Sequence, residues 1–335
     1  MLDNLNTSDT TINGCFELSY PIFDQNLTAD TDNVLSYLKL HLPLLDEQQI
    51  SAWLAPQIVQ LDGQTVGVDT ALQPGQTLSI RLAQHFEQKV NLQWQTVWQN
   101  DEILAVYKPA PLAVSRTTRN LYNTLIGLIR RQTPYYTAQL LHRLDIETSG
   151  LILIAKNKAS DSKHKKSLKQ LIEVKIYHAI VKGRPPWSQL ICENELAERL
   201  DSEIRCKMYV VDPLLAKEEY IKPKLCKTQF KWLKSQGEYS LIECQLYTGR
   251  KHQIRAQLAH LNLPIVGDKI YSHQGDYFLK RLTLKDGLEA QDYKVLGARN
   301  HLLRAVTLGL RTGSGEPLIT LQCDSFGENL FQEIL

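Results

Sequence analysis

The chain has 335 residues, 43% of them hydrophobic and 22% charged, with a formal net charge of +2. That is room for one sizeable domain and a smaller one at an ordinary soluble composition, and no apolar run of about 18 residues is present to span a membrane as a helix. The amino-terminal residues lack the basic start and apolar core of a secretory signal, and six scattered cysteines without a C-x-x-C pair argue against a disulfide framework or a structural metal, so a reducing cytoplasm is expected.

Residues 1–30 are polar and acidic without a clear period, which predicts an N-terminal extension. Residues 33–42 then read as a short amphipathic helix. A second helix over residues 46–54 follows, with Asp46 as its N-cap. Ile58-Val59-Gln60-Leu61, the turn signal Asp62-Gly63 and Gln64-Thr65-Val66 read as a hairpin, and Pro74-Gly75 turns into a strand over residues 76–82. These elements define a small α/β domain over 31–85. Residues 86–97 read as a linker. The main domain, 98–325, opens with a strand that ends at Pro109, where the ladder loses its donor. The apolar spacing of Leu121, Leu125, Leu128 and Ile129 predicts a helix over 121–131. Charge divides along the same line: residues 1–100 hold three basic and eleven acidic residues, and the rest hold 35 basic and 25 acidic. A polyanionic partner would meet the second part.

Three stretches of that part carry chemistry. The first is His142-Arg143-Leu144-Asp145-Ile146-Glu147-Thr148-Ser149-Gly150, a tight loop feeding the apolar run 151–155. A lone loop aspartate is usually a solvated turn residue or a helix cap. Beside Arg143, with hydroxyl donors at Thr148 and Ser149, an ionised and oriented Asp145 is expected instead, suited to act as nucleophile or base. The second is Lys175-Ile176-Tyr177-His178-Ala179-Ile180-Val181-Lys182-Gly183, a strand with Tyr177, Ala179 and Val181 on one face. The third is Leu246-Tyr247-Thr248-Gly249-Arg250-Lys251-His252-Gln253-Ile254-Arg255, between a strand and a helix over 251–261. Lys156, Lys163, Lys165, Lys166 and Lys169 follow the signature strand and, with Arg255, are expected to contact phosphate.

The first stretch resembles the signature H-R-L-D-x-x-T-S-G of the RluA-type RNA pseudouridine synthases. The second and third resemble that family's K-x-Y-x-A-x-V-x-G and L-x-T-G-R-x-H-Q-I-R, and with Pro264-Ile265-Val266-Gly267-Asp268, Tyr271 and residues 303–308 the resemblance spans about 98–325. It implies an α+β fold: a long, mostly antiparallel mixed sheet with flanking helices. It also implies roles. Asp145 acts on the sugar or the base, Tyr177 stacks on the target base, Arg250 pairs with Asp145, Arg143 fills the vacated space or holds a neighbouring phosphate, and Leu303 lines the base pocket. Arg304 stands where the family has histidine, and Pro111 where it has glycine. The small domain is similar to a degenerate form of the RNA-binding domain of ribosomal protein S-four. Its second helix has no Lys or Arg, which leaves a docking or structural role open beside RNA binding.

The implied reaction converts specific uridines in structured ribosomal or transfer RNA to pseudouridine after base flipping. It needs no cofactor and no metal. RNA is the expected partner, with no membrane, and a monomer is expected. A non-catalytic RNA-binding or ribosome-assembly factor on the same fold, and a nucleosidase that releases free uracil, are the two rival readings.

Overall fold

The computed structural model describes residues 11–12, 15–83, 85–212, 214, 217–284, 287–313, 315–323 and 330–335. The first sheet holds β1 (Thr11–Ile12), β2 (Cys15–Pro21), β3 (Ile58–Leu61), β4 (Gln64–Thr65) and β5 (Thr77–Leu82), in the order β1-β2-β5-β3-β4. Helices α1 (Val34–His41) and α2 (Glu47–Leu54) share one buried cluster with it. Both start at capping boxes. Asn33 and Ser36 exchange bonds at α1, and Asp46 and Gln49 do so at α2, which satisfies amide donors that a helix start otherwise leaves open. Asp62 and Gly63 both take positive φ (49° and 83°), as a two-residue hairpin requires.

Strand β2 departs from expectation, because residues 15–30 belong to this domain and are not an extension. Phe16, Leu18 and Tyr20 point inward, and β2 pairs along β5 from Phe16↔Leu82 to Pro21↔Thr77. Residues 86–97 are likewise no free linker. The Glu87 carboxylate accepts the backbone amides of Leu121, Tyr122 and Asn123 at 2.7, 2.7 and 2.8 Å.

The second sheet has eleven strands: β6 (Gln95–Gln99), β7 (Ile103–Lys108), β8 (Gln139–Leu140), β9 (Ser149–Ala155), β10 (Ile172–Lys182), β11 (Gln189–Arg199), β12 (Tyr209–Val210), β13 (Tyr220–Gln236), β14 (Tyr239–Leu246), β15 (Leu303–Leu310) and β16 (Ile319–Gln322). The path runs β12-β11-β13-β14-β10-β15-β9-β7-β6, with β8 on β9 and β16 on β15. Among these ladders only β9–β15 is parallel. The expected α+β class with a long, mostly antiparallel mixed sheet is present. Helices α3 (Leu125–Gln132), α4 (Lys158–Lys166), α5 (Leu168–Leu171), α6 (Gln253–His260), α7 (Asp276–Thr283) and α8 (Ala290–Leu296) flank it. Helix α3 begins four residues later than the spacing predicts, at the N-cap Thr124, because the amides of 121–123 are held by Glu87. Leu330 and Phe331 pack on Ile180, Val266 and Leu302, so residues past 325 also belong to this unit.

Strand β10 alternates as expected. Tyr177, Ala179 and Val181 enter the core cluster shared with α3 and α6, while Ile180 enters a cluster on the opposite face. The parallel contact depends on one glycine. Gly150 has φ +110°, and a Cβ there would sit 2.2 Å from the carbonyl oxygen of Ala305. Neither backbone can yield without opening the sheet beside the signature loop. Gly150→Ala is expected to lower stability by on the order of 3 kcal/mol or more, read as a fall in the urea midpoint. An unchanged midpoint would show that the two strands separate freely.

Candidate active site

The loop 141–148 enters β9, and its side chains take separate tasks. His142 folds back, its Nε2 accepting the Leu153 amide at 3.1 Å. Burial and the charge of Lys175 bring this imidazole down to about 3, so it is neutral. Arg143 is exposed, and its side chain makes no hydrogen bond or ion pair among the described residues. Leu144 joins the cluster of Tyr177, Leu303 and Ala305.

Asp145 keeps 32% of its side chain exposed, and its Oδ2 accepts Nη1 of Arg255 at 2.7 Å. The other edge of the same guanidinium is bidentate on Asp268, Nε to Oδ2 at 2.7 Å and Nη2 to Oδ1 at 2.9 Å. Asp268 is wholly buried, and Oδ1 also accepts the amides of Ile270 and Tyr271 at 3.0 and 3.1 Å. Gly267 makes that turn possible. Its φ is +81°, and a Cβ would lie 2.2 Å from the Asn300 carbonyl oxygen. One arginine thus serves two carboxylates through its planar fork. Burial alone would raise the Asp145 carboxyl; Arg255, with His252 and His301, reverses this and holds it at about 2. His252 stands with Nε2 3.8 Å from Asp145 Oδ2 and Nδ1 3.0 Å from the Tyr271 hydroxyl. Burial and then Arg255 bring His252 down to about 4, so it is uncharged at neutral pH. The Tyr177 hydroxyl is pushed well above its usual range by burial and by the charge of Asp145.

The rest of the loop is clamped from behind. Lys108, fully buried, donates from Nζ to the carbonyls of Pro109, Leu112 and Ile146 at 3.0, 2.9 and 3.1 Å. Burial lowers it to about 7, against the raising charges of Asp145 and Glu147. Glu147 accepts Lys269 Nζ on both oxygens at 2.9 Å, Arg281 at 3.1 Å and the His301 amide at 3.2 Å. Thr148 Oγ1 meets His301 Nε2 at 2.7 Å. Glu147→Ala strands the Lys269 ammonium, whose side chain is only 4% exposed. A loss of about 3–5 kcal/mol is expected in chemical denaturation, and a loss under ~1 kcal/mol would mean that the clamp is dispensable.

Several expectations need correction. Arg250 does not pair with Asp145. It is exposed, and its Nε donates to the Leu225 carbonyl at 3.1 Å. His252, at φ +56°, turns the chain between the two arginines, so Arg250 stays outside while Arg255 enters the core on α6. Arg255 is therefore no phosphate contact: it is 5% exposed and saturated by two acids. Thr148 and Ser149 do not donate to Asp145; they bond His301 and Arg304. Arg304, in place of the family histidine, reaches Glu333 at 2.5 Å. Lysines 156–169 do not stand beside the loop. The seven residues of β9 carry the chain roughly 20 Å away before they begin. Lys163 there pairs with Glu102 at 2.7 Å and Lys165 with Asp161 at 2.9 Å. Asp268, His252, His301, Lys108 and Lys269 are the residues that sequence reasoning missed. Asp268 and His252 carried a signal, each as a letter of a family match without an assigned role. Among the described residues no three His, Cys, Asp or Glu side chains converge to hold a metal, and no helix is long and apolar enough to cross a membrane.

A family model described as RNA pseudouridylate synthase matches residues 102–260, which spans Asp145, Tyr177 and Arg255. The ribosomal large subunit pseudouridine synthase D of Neisseria meningitidis serogroup A is 32% identical over 214 residues, 62% of this chain and 51% of that one. An uncharacterized RNA pseudouridine synthase of Chloroflexus aurantiacus is 27% identical, over 73% of this chain and 76% of that one. Over these residues the chain is similar to the RluA-type pseudouridine synthases. The tRNA pseudouridine(31) synthase of Saccharomyces cerevisiae is 32% identical over 221 residues, 59% of this chain and 54% of the relative. The chain thus spans about half the length of the yeast and Neisseria family members. The solved structure of human RNA Pseudouridylate Synthase Domain Containing 4 superposes with a TM-score of 0.53 at 24% identity, covering 71% of this chain and 90% of that one, and shares the family fold.

Proposed function

We propose that the chain isomerises uridine to pseudouridine within structured RNA, with Asp145 as the reactive group. The observation that carries this reading is the Asp145–Arg255–Asp268 arrangement beside Tyr177. It holds one ionised, part-exposed carboxylate in a fixed orientation. The reaction breaks the bond from N1 of uracil to the sugar, turns the base and joins C5 to the same carbon. The C5 proton leaves and N1 takes one up, so nothing is oxidised. Attack on the sugar and abstraction of a sugar proton both need the charged form of Asp145, which Arg255 supplies across the working pH range. Tyr177 offers a ring to a flipped uracil, with Leu303 in the same wall. Arg143 stands exposed in the same loop, with a guanidinium able to take the space the base leaves or to bind an adjacent phosphate.

Transfer and ribosomal RNA are the substrates by which the yeast and Neisseria relatives are named, and structured RNA of this kind is the proposed substrate class. We read residues 15–83 as a degenerate S-four-like domain, supported by its two capped helices and hairpin. The described residues from 85 onward form the synthase unit. The test is to incubate the full chain with cellular RNA and map pseudouridine. New pseudouridines with an unchanged base count are expected. Free uracil would mean a nucleosidase, and binding without conversion would mean a non-catalytic RNA factor.

A further inference from the structure

The far end of β9 holds a second feature that the reaction does not use. A depression of about 360 Å³ is bounded there by Asp101, Tyr135, Tyr136, Thr137, Lys156 and Asn157. We propose that it is a subsite for an unpaired nucleotide of the substrate RNA, some distance along the strand from the reacting uridine. This rests on the reading of the chain as an RNA-modifying enzyme and extends it to a second point of contact.

The walls have the chemistry of a nucleotide site. Two tyrosines are adjacent and both part-exposed. The Lys156 ammonium stands 4.6 Å from the centre of the Tyr135 ring, and no carboxylate pairs with it among the described residues. Such a cation is available to a phosphate, whereas Lys163 and Lys165 nearby are already paired. The tyrosines are held in place. The Tyr135 hydroxyl donates to Gln99 at 3.0 Å, and the Tyr136 ring meets His41 of the small domain edge-on at 6.2 Å. His41 in turn packs on Tyr20 and Tyr37 at 5.0 and 5.3 Å. A rigid aromatic surface beside a free cation is what sequence-tolerant binding of unpaired RNA uses: the base stacks and its phosphate finds the ammonium. Asn157 adds an amide at the rim.

Placement agrees. Tyr135 packs against the core cluster that holds Tyr177 and Leu303, so the depression lies on the same face of the sheet as the reactive site. The length of β9 separates the two by roughly 20 Å, on the order of six stacked nucleotides at about 3.4 Å each. Short RNA engages one site and longer RNA engages both, which gives the second contact an advantage through effective concentration.

The test reads binding and not turnover, so it stands apart from the test of the reaction. Fluorescein-labelled uridine oligomers of 5 and 20 nucleotides are titrated by anisotropy into the full chain, Tyr136→Ala, Tyr136→Phe and Lys156→Gln. Affinity for the 20-mer is expected to fall about tenfold in Tyr136→Ala and severalfold in Lys156→Gln, to stay unchanged in Tyr136→Phe, and to become less steeply salt-dependent in Lys156→Gln. The 5-mer is expected to bind all four proteins alike. Lys156→Gln alters a part-exposed side chain, so it keeps the test valid if Tyr136→Ala unfolds. Equal affinities of all variants for the 20-mer, equal losses for both lengths, or no binding of the 20-mer by the unaltered chain would each overturn the proposal.

Discussion

Asp145→Asn is expected to bring pseudouridine formation to background while the protein stays folded. The asparagine keeps the volume, and its amide oxygen can still accept from Arg255, so the Arg255–Asp268 pair beneath it persists. What disappears is the charge, and with it the capacity to attack or to take a proton. No other acid substitutes: Glu147 is held by Lys269, Arg281 and His301, and Asp268 is buried. Turnover on a cellular RNA pool and circular dichroism of the same sample check both halves. Retention of activity within about tenfold, a barrier change of only ~1.4 kcal/mol, would remove Asp145 from the mechanism.

Arg255→Met is expected to be at least as damaging, through both stability and acidity. It leaves two carboxylates without their cation, one of them wholly buried, at a cost of about 3–5 kcal/mol. The sign with pH is fixed. Asp145 is held low, at about 2, so the pair adds stability that is present above the ordinary aspartate range and lost as pH falls toward 2. The variant's deficit is therefore largest at neutral pH and shrinks in acid. Activity behaves in a related way. In the unaltered protein Asp145 imposes no acid limb between pH 4 and 8, roughly two units above its titration. Without Arg255 only His252 and His301 oppose burial, and a limb is expected to enter that window. Arg255→Lys should rescue little, because an ammonium cannot fork to both acids. Arg250→Ala, which breaks one exposed bond to a carbonyl, should leave pH profile and stability close to unaltered. Equal harm from the two arginine losses would contradict the pairing described here.

The sequence singles out the loop proposed to react, but not how that loop is held. Asp145 and Tyr177 were legible because nine-letter patterns fixed them, and the alternation of β10 put Tyr177 on the correct face. Choosing between Arg250 and Arg255 was beyond the pattern, which contains both. The choice depends on His252 adopting a left-handed conformation, and no periodicity announces that. The lysine run misled through sequence proximity, since seven extended residues displace a chain farther than a helix of the same length would. Strand β2 was legible in principle: Phe16, Leu18, Tyr20 and Ile22 alternate, and all are buried. The polar, acidic residues around this short run masked it. Glu147, Lys269 and His301 meet across more than 120 residues of chain, a kind of closeness that only the fold supplies.

The order of strands in the large sheet has a consequence for how the protein comes into being. Strand β15 lies between β10 and β9, yet it is made after every other strand of that central path. While the ribosome is still upstream of residue 303, β9 and β10 each present an unsatisfied edge. Lys269 and His301, which lock Glu147, arrive only shortly before it. Closing the sheet therefore waits for long-range pairing, a slow step that leaves nascent chains open to misassociation. It also means that a truncated product carries Asp145 in an unassembled loop. On the proposed function, competence to rewrite a nucleotide is acquired late, by chains whose centre has been sewn shut.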